Sequence, residues 1–314
     1  MENIAVLFSG QGAQYPGMMK DLVDCSKEAA EVFSIADRRL KRPISSISFM
    51  GEQDELNLTH NTQPCVLAAD LAAYFALVNT CCMAPNAIAG FSLGEYAALV
   101  VGGVIEIQDA FPIIQNRADF MQEAVPVGVG AMAAIASASI EEVMALCEEA
   151  KGYVIPANIN CPGQIVVSGM LEAVHSVVDT AKSRGIKAML LPVSAPFHSE
   201  LLEPAARKLE KVLRQYRFDD SAINLYLNVD GEKETSGTII KEKLVLQAKS
   251  PVYWEKTLRN MYKDGIRVFV ECGPGKTLSG FVKKTFRGFD DVVSLRVSDV
   301  ETLQSTVEYF KENS

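Results

Sequence analysis

Ser92 stands in Gly90-Phe-Ser-Leu-Gly94, between an apolar run at residues 87–89 and an alanine-rich helical pattern that opens at Glu95. Strand, sharp turn and helix in immediate succession are the grammar of a nucleophile elbow. The glycines two positions before and after the serine permit the tight turn and let the strand and helix backbones approach, holding the hydroxyl out on a strained corner. A serine so placed lies at a helix N-terminus, where free N–H groups favour negative charge, and the Leu93 N–H is positioned to hold an oxyanion. An N-capping serine between two turn glycines uses the same letters. The apolar strand before it and the helix after it favour catalysis.

A serine hydroxyl is a poor nucleophile until a base takes its proton, so a histidine should be available. The chain has three. His175 lies in an amphipathic helical pattern, a surface position, and His60 sits in a polar stretch, Leu58-Thr-His-Asn-Thr62, read as a loop. His198 stands in Ser194-Ala-Pro-Phe-His-Ser199, where a small unit returns to a larger body and a long helical pattern begins. A loop at such a junction is where a cleft lies. The ordinary α/β-hydrolase order puts an acid and then a histidine after the serine. Here the histidine is mid-chain and no acidic residue stands out as its orienting partner.

The elements that must position these residues read as an α/β chain. A strand at residues 4–8 ends in Ser9-Gly-Gln-Gly-Ala-Gln14, a glycine-rich loop where α/β proteins put their sites. It is not a dinucleotide fingerprint, because Tyr15 stands where the third glycine is required. Its glycines can bring backbone N–H groups, or the Gln11 side chain, to the Ser92 turn as a second oxyanion donor. Gly273-Pro-Gly-Lys-Thr277 is likewise no phosphate loop, since residue 270 is valine and not the glycine such a loop needs; it reads as a helix-opening turn. Helical patterns cover residues 24–39, 65–78 and 107–123, the last carrying Arg117 and Met121 one turn apart. From residue 127 to 193 the order becomes βαββαβ, that of a ferredoxin-like unit with its own small core. Beyond it, helices are expected at 201–216, 239–247, 252–264 and 301–311, and strands at 223–228 and 268–271.

A length of 314 residues suffices for one large domain or two modest ones. A net charge of −9 argues against nonspecific nucleic-acid binding and against a basic membrane-surface protein, so an anionic partner must meet a local basic patch. Seven cysteines without a C-x-x-C spacing suggest neither a zinc set nor a disulfide framework, and Cys81-Cys82 read as buried small hydrophobes of a reducing cytosol. The first apolar run is short and lacks a basic flank, and no later segment reads as long enough to span a membrane. A cytoplasmic protein without membrane contact is expected.

Read together, Gly10-Gln-Gly-Ala-Gln14, Gly90-Phe-Ser-Leu-Gly94, Gln115-Asn-Arg117 with Met121, Gly130-Ala-Met132, Asn158-Ile-Asn160 with Gly163-Gln164, Ala195-Pro-Phe-His198, Gln247 with Pro251-Val-Tyr-Trp254, and Glu271-Cys-Gly-Pro-Gly275 form an ordered series. It resembles that of the malonyl-CoA:acyl carrier protein transacylases nearly end to end. The resemblance implies an α/β-hydrolase-like body with a parallel sheet, residues 1–126 and 197–314, and an inserted ferredoxin-like unit, residues 127–196. It also implies transfer of a malonyl group from coenzyme A to the phosphopantetheine thiol of an acyl carrier protein, in fatty-acid or polyketide synthesis, with malonyl-CoA as substrate and no cofactor. A monomer is expected.

By the same resemblance Ser92 is the nucleophile, His198 the base and then the acid, and the Gln11 and Leu93 N–H groups the oxyanion hole. An oxygen of Gln247 orients the imidazole, and Arg117 binds the malonyl carboxylate. Met121 and Asn160 line the pocket, and Phe197 leaves no room for an α-methyl branch. Phe91 departs from the pattern, standing where the family usually has histidine. An acyl hydrolase would use the same acyl-serine, but Arg117 has little use on monocarboxylic groups. A noncatalytic carrier-binding subunit would not need Ser92 and His198 together. The acidic carrier should meet Lys182, Arg184 and Lys187, or Lys276, Lys283, Lys284 and Arg287.

Overall fold

The computed structural model describes residues 3–126, 128–193 and 195–313. Residue 127, where the sequence reading begins the small unit, and Ser194 of the histidine loop lie outside the described residues.

Two sheets organise the chain. The larger has the order β10-β9-β1-β2-β7-β8, formed by β1 (Ile4–Phe8), β2 (Ala87–Gly90), β7 (Asn224–Tyr226), β8 (Lys233–Glu234), β9 (Val268–Cys272) and β10 (Val293–Val297). All its pairings are parallel except β7 with β8. Its central strands are continuous apolar runs because helices cover both faces: Val6 and Phe8 point into one core, Ala5 and Leu7 into the other. The C-terminal ends of β1 and β2, in register at Phe8 and Gly90, present the glycine-rich loop and the Ser92 turn side by side.

The smaller sheet is antiparallel, in the order β4-β5-β3-β6, built from β3 (Gly130–Ala136), β4 (Val154–Cys161), β5 (Gln164–Met170) and β6 (Lys187–Leu190). Period-2 alternation divides its side chains. Ala131, Ala133, Ile135, Ile165 and Val167 pack on the helices Ile140–Glu149 and Leu171–Ser183. Met132 and Val166 face the other way, into a cluster with Met121, Phe197 and Leu202. That second face lies over the serine turn. A bridge between Asn158 and Val252 fastens the small sheet to the body.

Several sequence expectations need correction. The helix expected at 65–78 runs from Thr59 to Cys81, so His60 lies in its first turn and not in a loop. Pro64 sits inside this helix and cannot donate to the carbonyl of His60. Arg42 Nη1 and Gln115 Nε2 donate to that carbonyl instead, at 3.1 and 3.2 Å. The same helix, 23 residues long, is long and apolar enough to cross a membrane, contrary to expectation. Every residue from 61 to 74 is buried within the protein, as befits a core helix that is apolar all round. Cys81 is only half-buried and Cys82 is exposed, because the helix ends there with Cys82 in a left-handed cap. The helix expected from 252 begins at Trp254, since Val252 is engaged by the small sheet.

Candidate active site

Ser92 occupies the corner between β2 and the helix Glu95–Val101, with φ of 53°, a left-handed conformation that L side chains adopt only when their surroundings impose it. The flanking glycines permit it, because neither position has room for a Cβ. A Cβ on Gly90 would come within 1.9 Å of the Gly94 carbonyl carbon, and one on Gly94 within 2.3 Å of the Ser9 oxygen. Asn228, just beyond β7, fastens the turn from the side: its Oδ1 accepts the Ser92 N–H at 2.7 Å and its Nδ2 donates to the Gly90 oxygen at 2.7 Å. The Asn228 N–H in turn donates to Glu95 Oε2 at 3.0 Å.

His198 reaches the turn from the loop after the small sheet, also left-handed at φ 59°. Its Nε2 lies 2.7 Å from Ser92 Oγ, and its Nδ1 lies 3.0 Å from the main-chain oxygen of Gln247. A carbonyl can only accept, so Nδ1 carries the proton and Nε2 is left to receive the serine proton. Burial, with the nearby Arg117 charge, pushes His198 down to about 4, which keeps the imidazole neutral around pH 7. The group beside Nδ1 is thus a backbone carbonyl and not an acid. The Gln247 side chain is engaged elsewhere: Nε2 donates to the Ser92 oxygen at 2.7 Å and Oε1 accepts from Arg117.

Arg117 comes from the helix Ile107–Glu123 and is buried, 1 % exposed. It donates to Gln63 Oε1 at 2.6 Å, to Ser92 Oγ at 3.0 Å and to Gln247 Oε1 at 3.0 Å, and its Nε–H has no partner among the described residues. Its guanidinium lies over the Tyr96 ring at 5.5 Å. Among the described residues no carboxylate forms an ion pair with it. A buried cation with neutral hydrogen-bond partners and an unpartnered Nε–H is able to receive an anion. Glu95 is nearby, but burial pushes its carboxyl up to about 7, opposed by the Asn228 N–H, Gln247 and Arg117.

These groups open onto a cavity of about 270 Å³. Gln11, Leu93, Met121, Asn160 and Phe197 all line it, as the sequence reading expected, and Asn160 Oδ1 is a buried acceptor without a partner among the described residues. Phe91 lines it too, stacked edge-on against Trp254 at 5.4 Å and pressed on Gly10, whose Cβ would come within 2.8 Å of the Phe91 ring. A larger cavity, about 750 Å³, lies beyond the β4–β5 hairpin near Arg259 and Phe286, away from Ser92 and His198. Size does not mark the site here; the chemistry does.

Of the other histidines, His175 is exposed on its helix and His60 is remote from Ser92 in the hydrogen-bond network. Among the basic residues, Arg184 is paired with Glu149 at 2.5 Å. Lys283 and Lys284 form the last turn of the helix Thr277–Thr285, whose Thr277, Leu278 and Phe281 line the cavity. Lys284 donates to Gln164 Oε1 at 2.7 Å. Sequence reasoning missed Gln63, Glu95 and Asn228. The one available signal was their position: Glu95 immediately follows the elbow, and Asn228 follows a strand's C-terminal end.

Residues 6–311 match the model of the acyl transferase domain. The malonyl CoA-acyl carrier protein transacylase of Bacillus subtilis is 41% identical over 318 aligned positions, covering 100% of this chain and 99% of that protein. A crystal structure of malonyl CoA-acyl carrier protein transacylase from Clostridium perfringens superposes with a TM-score of 0.94 at 38% identity, covering 99% and 98% of the two chains. A type II PKS acyl-carrier protein has been solved in complex with its malonyl-transacylase, and a chain of that structure superposes with a TM-score of 0.94 at 36% identity, covering 98% and 100%.

Proposed function

The chain belongs to the acyl transferase family, among its malonyl CoA-acyl carrier protein transacylases, and from that premise we propose how its residues carry a malonyl group from coenzyme A to a carrier protein. The chain is an acyltransferase of that specificity. The single observation that carries the assignment to these residues is Arg117, a buried guanidinium with no ion-paired carboxylate among the described residues, 3.0 Å from Ser92 Oγ. It receives the free carboxylate of a malonyl group while the thioester carbon meets the serine.

In the proposed first half-reaction Ser92 Oγ attacks the thioester carbonyl carbon and His198 Nε2 takes the serine proton. The N–H groups of Gln11 and Leu93 hold the oxyanion. The C–S bond breaks, the coenzyme A sulfur leaves with the proton from His198, and malonyl-serine remains. In the second half the carrier's phosphopantetheine thiol gives its proton to His198 and attacks the ester; the C–O bond breaks and Ser92 recovers its proton. Gln247 holds the imidazole in its tautomer, Met121 and Phe197 bound the acyl pocket, and Asn160 offers its unpartnered oxygen to an N–H of the pantetheine arm. Phe91 supplies an apolar wall fixed by Trp254 and Phe281. Every step uses groups of this chain or its substrates.

The chain divides, on this reading, into an α/β-hydrolase-like body, residues 1–126 and 197–314, and a ferredoxin-like insertion, residues 127–196. The order β4-β5-β3-β6 with two helices on one face supports the second label. A reducing, cytoplasmic setting fits the free cysteines, and a monomer is part of the same proposal. The test is intact-protein mass after brief mixing with malonyl-CoA, acetyl-CoA or methylmalonyl-CoA, with Ser92→Ala as control, followed by acyl carrier protein. A malonyl adduct that persists in buffer and moves to the carrier supports the mechanism. An adduct lost to water at the same rate without carrier would make the protein a hydrolase, and no adduct with any donor would remove Ser92 from the role.

A further inference from the structure

Asp70 takes no part in the chemistry above, yet it is a fully buried carboxyl close beneath it. It is fully buried on the helix Thr59–Cys81, and its Oδ1 accepts the Ser9 hydroxyl at 2.6 Å while Oδ2 has no partner among the described residues. Ser9, itself 1 % exposed, directly precedes Gly10-Gln11. Its carbonyl oxygen rests where a Cβ on Gly94 would approach to 2.3 Å, so the same residue touches the elbow. From the third side comes Gly273 at φ 133°, whose Cβ would stand 2.0 Å from Asp70 Oδ1 and 2.6 Å from Ser9 Oγ. Three chain segments therefore close around one hydrogen bond, the one that offsets the cost of burying this carboxyl.

We infer that Asp70 is a positioning residue: through Ser9 it fixes the Gly10-Gln11 backbone against the Ser92 turn and so sets the reach of the Gln11 N–H. The inference rests on the reading of that N–H as an oxyanion donor. Burial holds the Asp70 carboxyl well above its usual range, against the Ser9 hydrogen bonds that favour its charge, so an amide is a close replacement. Asp70→Asn keeps the acceptor for Ser9, whereas Asp70→Ala and Ser9→Ala each remove the bond, the second by a change small enough for the fold to bear.

The test reads the second-order rate at which an alkyl fluorophosphonate modifies Ser92. That reaction uses the same oxyanion donors without any malonyl group. Ser9→Ala and Asp70→Ala should each slow it by about tenfold or more, the double variant no further, and Asp70→Asn should return it to within about threefold of wild type. Coenzyme A affinity should stay within about twofold. Rates unchanged in Ser9→Ala, or falling only in step with coenzyme A affinity and melting temperature, would overturn the inference, as would failure of Asp70→Asn to rescue. A wild-type chain that takes the fluorophosphonate but not malonyl-CoA would fail the substrate assignment alone, leaving the variant rates to decide on Asp70.

Discussion

At the residue scale the electrostatics of Arg117 and His198 make two predictions. On the proposed mechanism Arg117→Ala removes the charge-assisted partner of the malonyl carboxylate, a contact worth about 1.5–3 kcal/mol. The preference for malonyl-CoA over acetyl-CoA in Ser92 loading should therefore fall roughly ten- to a hundredfold, read by competition in intact mass; an unchanged preference would exclude Arg117 from the carboxylate site. His198 must be neutral to accept the serine proton, and its depression to about 4 sets the acidic limb of kcat/KM near pH 4 and not near 6.5. Between those values the unfolded chain binds the proton and the folded one does not, so this residue also lowers stability as pH falls through that window. Arg117 is one cause of the depression, so a bound malonyl carboxylate relieves it, and the acidic limb of kcat should lie above that of kcat/KM. Coincident limbs in the two profiles would contradict this. The contact of Ser92 with His198 was legible because the chain has only three histidines and because the strand, glycine turn and helix around Ser92 set it apart from the other serines. Gln63 and Asn228 were not, because an amide becomes a site residue only through what the fold sets beside it.

Elements decide how firmly the turn is held. The helix after Ser92 and the strand before it were legible as an apolar run, two glycines and an alanine-rich pattern, and the geometry shows why the glycines are obligatory. The lateral support from the end of β7 was not, since a contact across 136 residues of sequence leaves no periodic trace. Asn228→Ala would leave the Ser92 N–H and the Gly90 oxygen without their partner, at a cost of about 1–3 kcal/mol. Ser92 loading should slow in parallel with a lower melting temperature by calorimetry, while the variant stays folded; loading at the wild-type rate would mean that the glycines alone define the corner. The short helices Lys20–Cys25, Ile44–Met50 and Gln53–Leu56 escaped the sequence because they are brief; β10, as long as β1, escaped because it is a half-buried edge strand whose Ser294 and Arg296 interrupt the apolar run. His60 was read as loop for a different reason: polar residues look like loop until Arg42 and Gln115 are seen to satisfy the carbonyl that Pro64 leaves free.

For the whole molecule, both sheets were legible in outline, because a parallel sheet buried on two faces and an antiparallel one with alternating sides leave different hydrophobic patterns. Their meeting over Ser92 followed from the histidine loop alone. Carrier docking belongs to this scale. Lys284 is occupied by Gln164, so Lys283→Glu is the cleaner charge reversal: transfer to carrier should weaken and become less sensitive to salt while malonyl loading is unchanged. Equal loss in both steps would exclude that helix as the docking face. A last consequence follows from the left-handed backbone at Ser92 and His198. Each such residue costs the fold about 1–3 kcal/mol, a cost glycine largely escapes. Ser92→Gly should thus melt above Ser92→Ala, although both lack the hydroxyl, and equal melting temperatures would show that the corner stores no strain. If it does, a library of this gene screened for survival of heat alone will accept glycine at Ser92 and His198 as readily as at Met19, Lys41, Cys82 and Ser137, which share their backbone conformation, and so will not keep the hydroxyl and the imidazole in place.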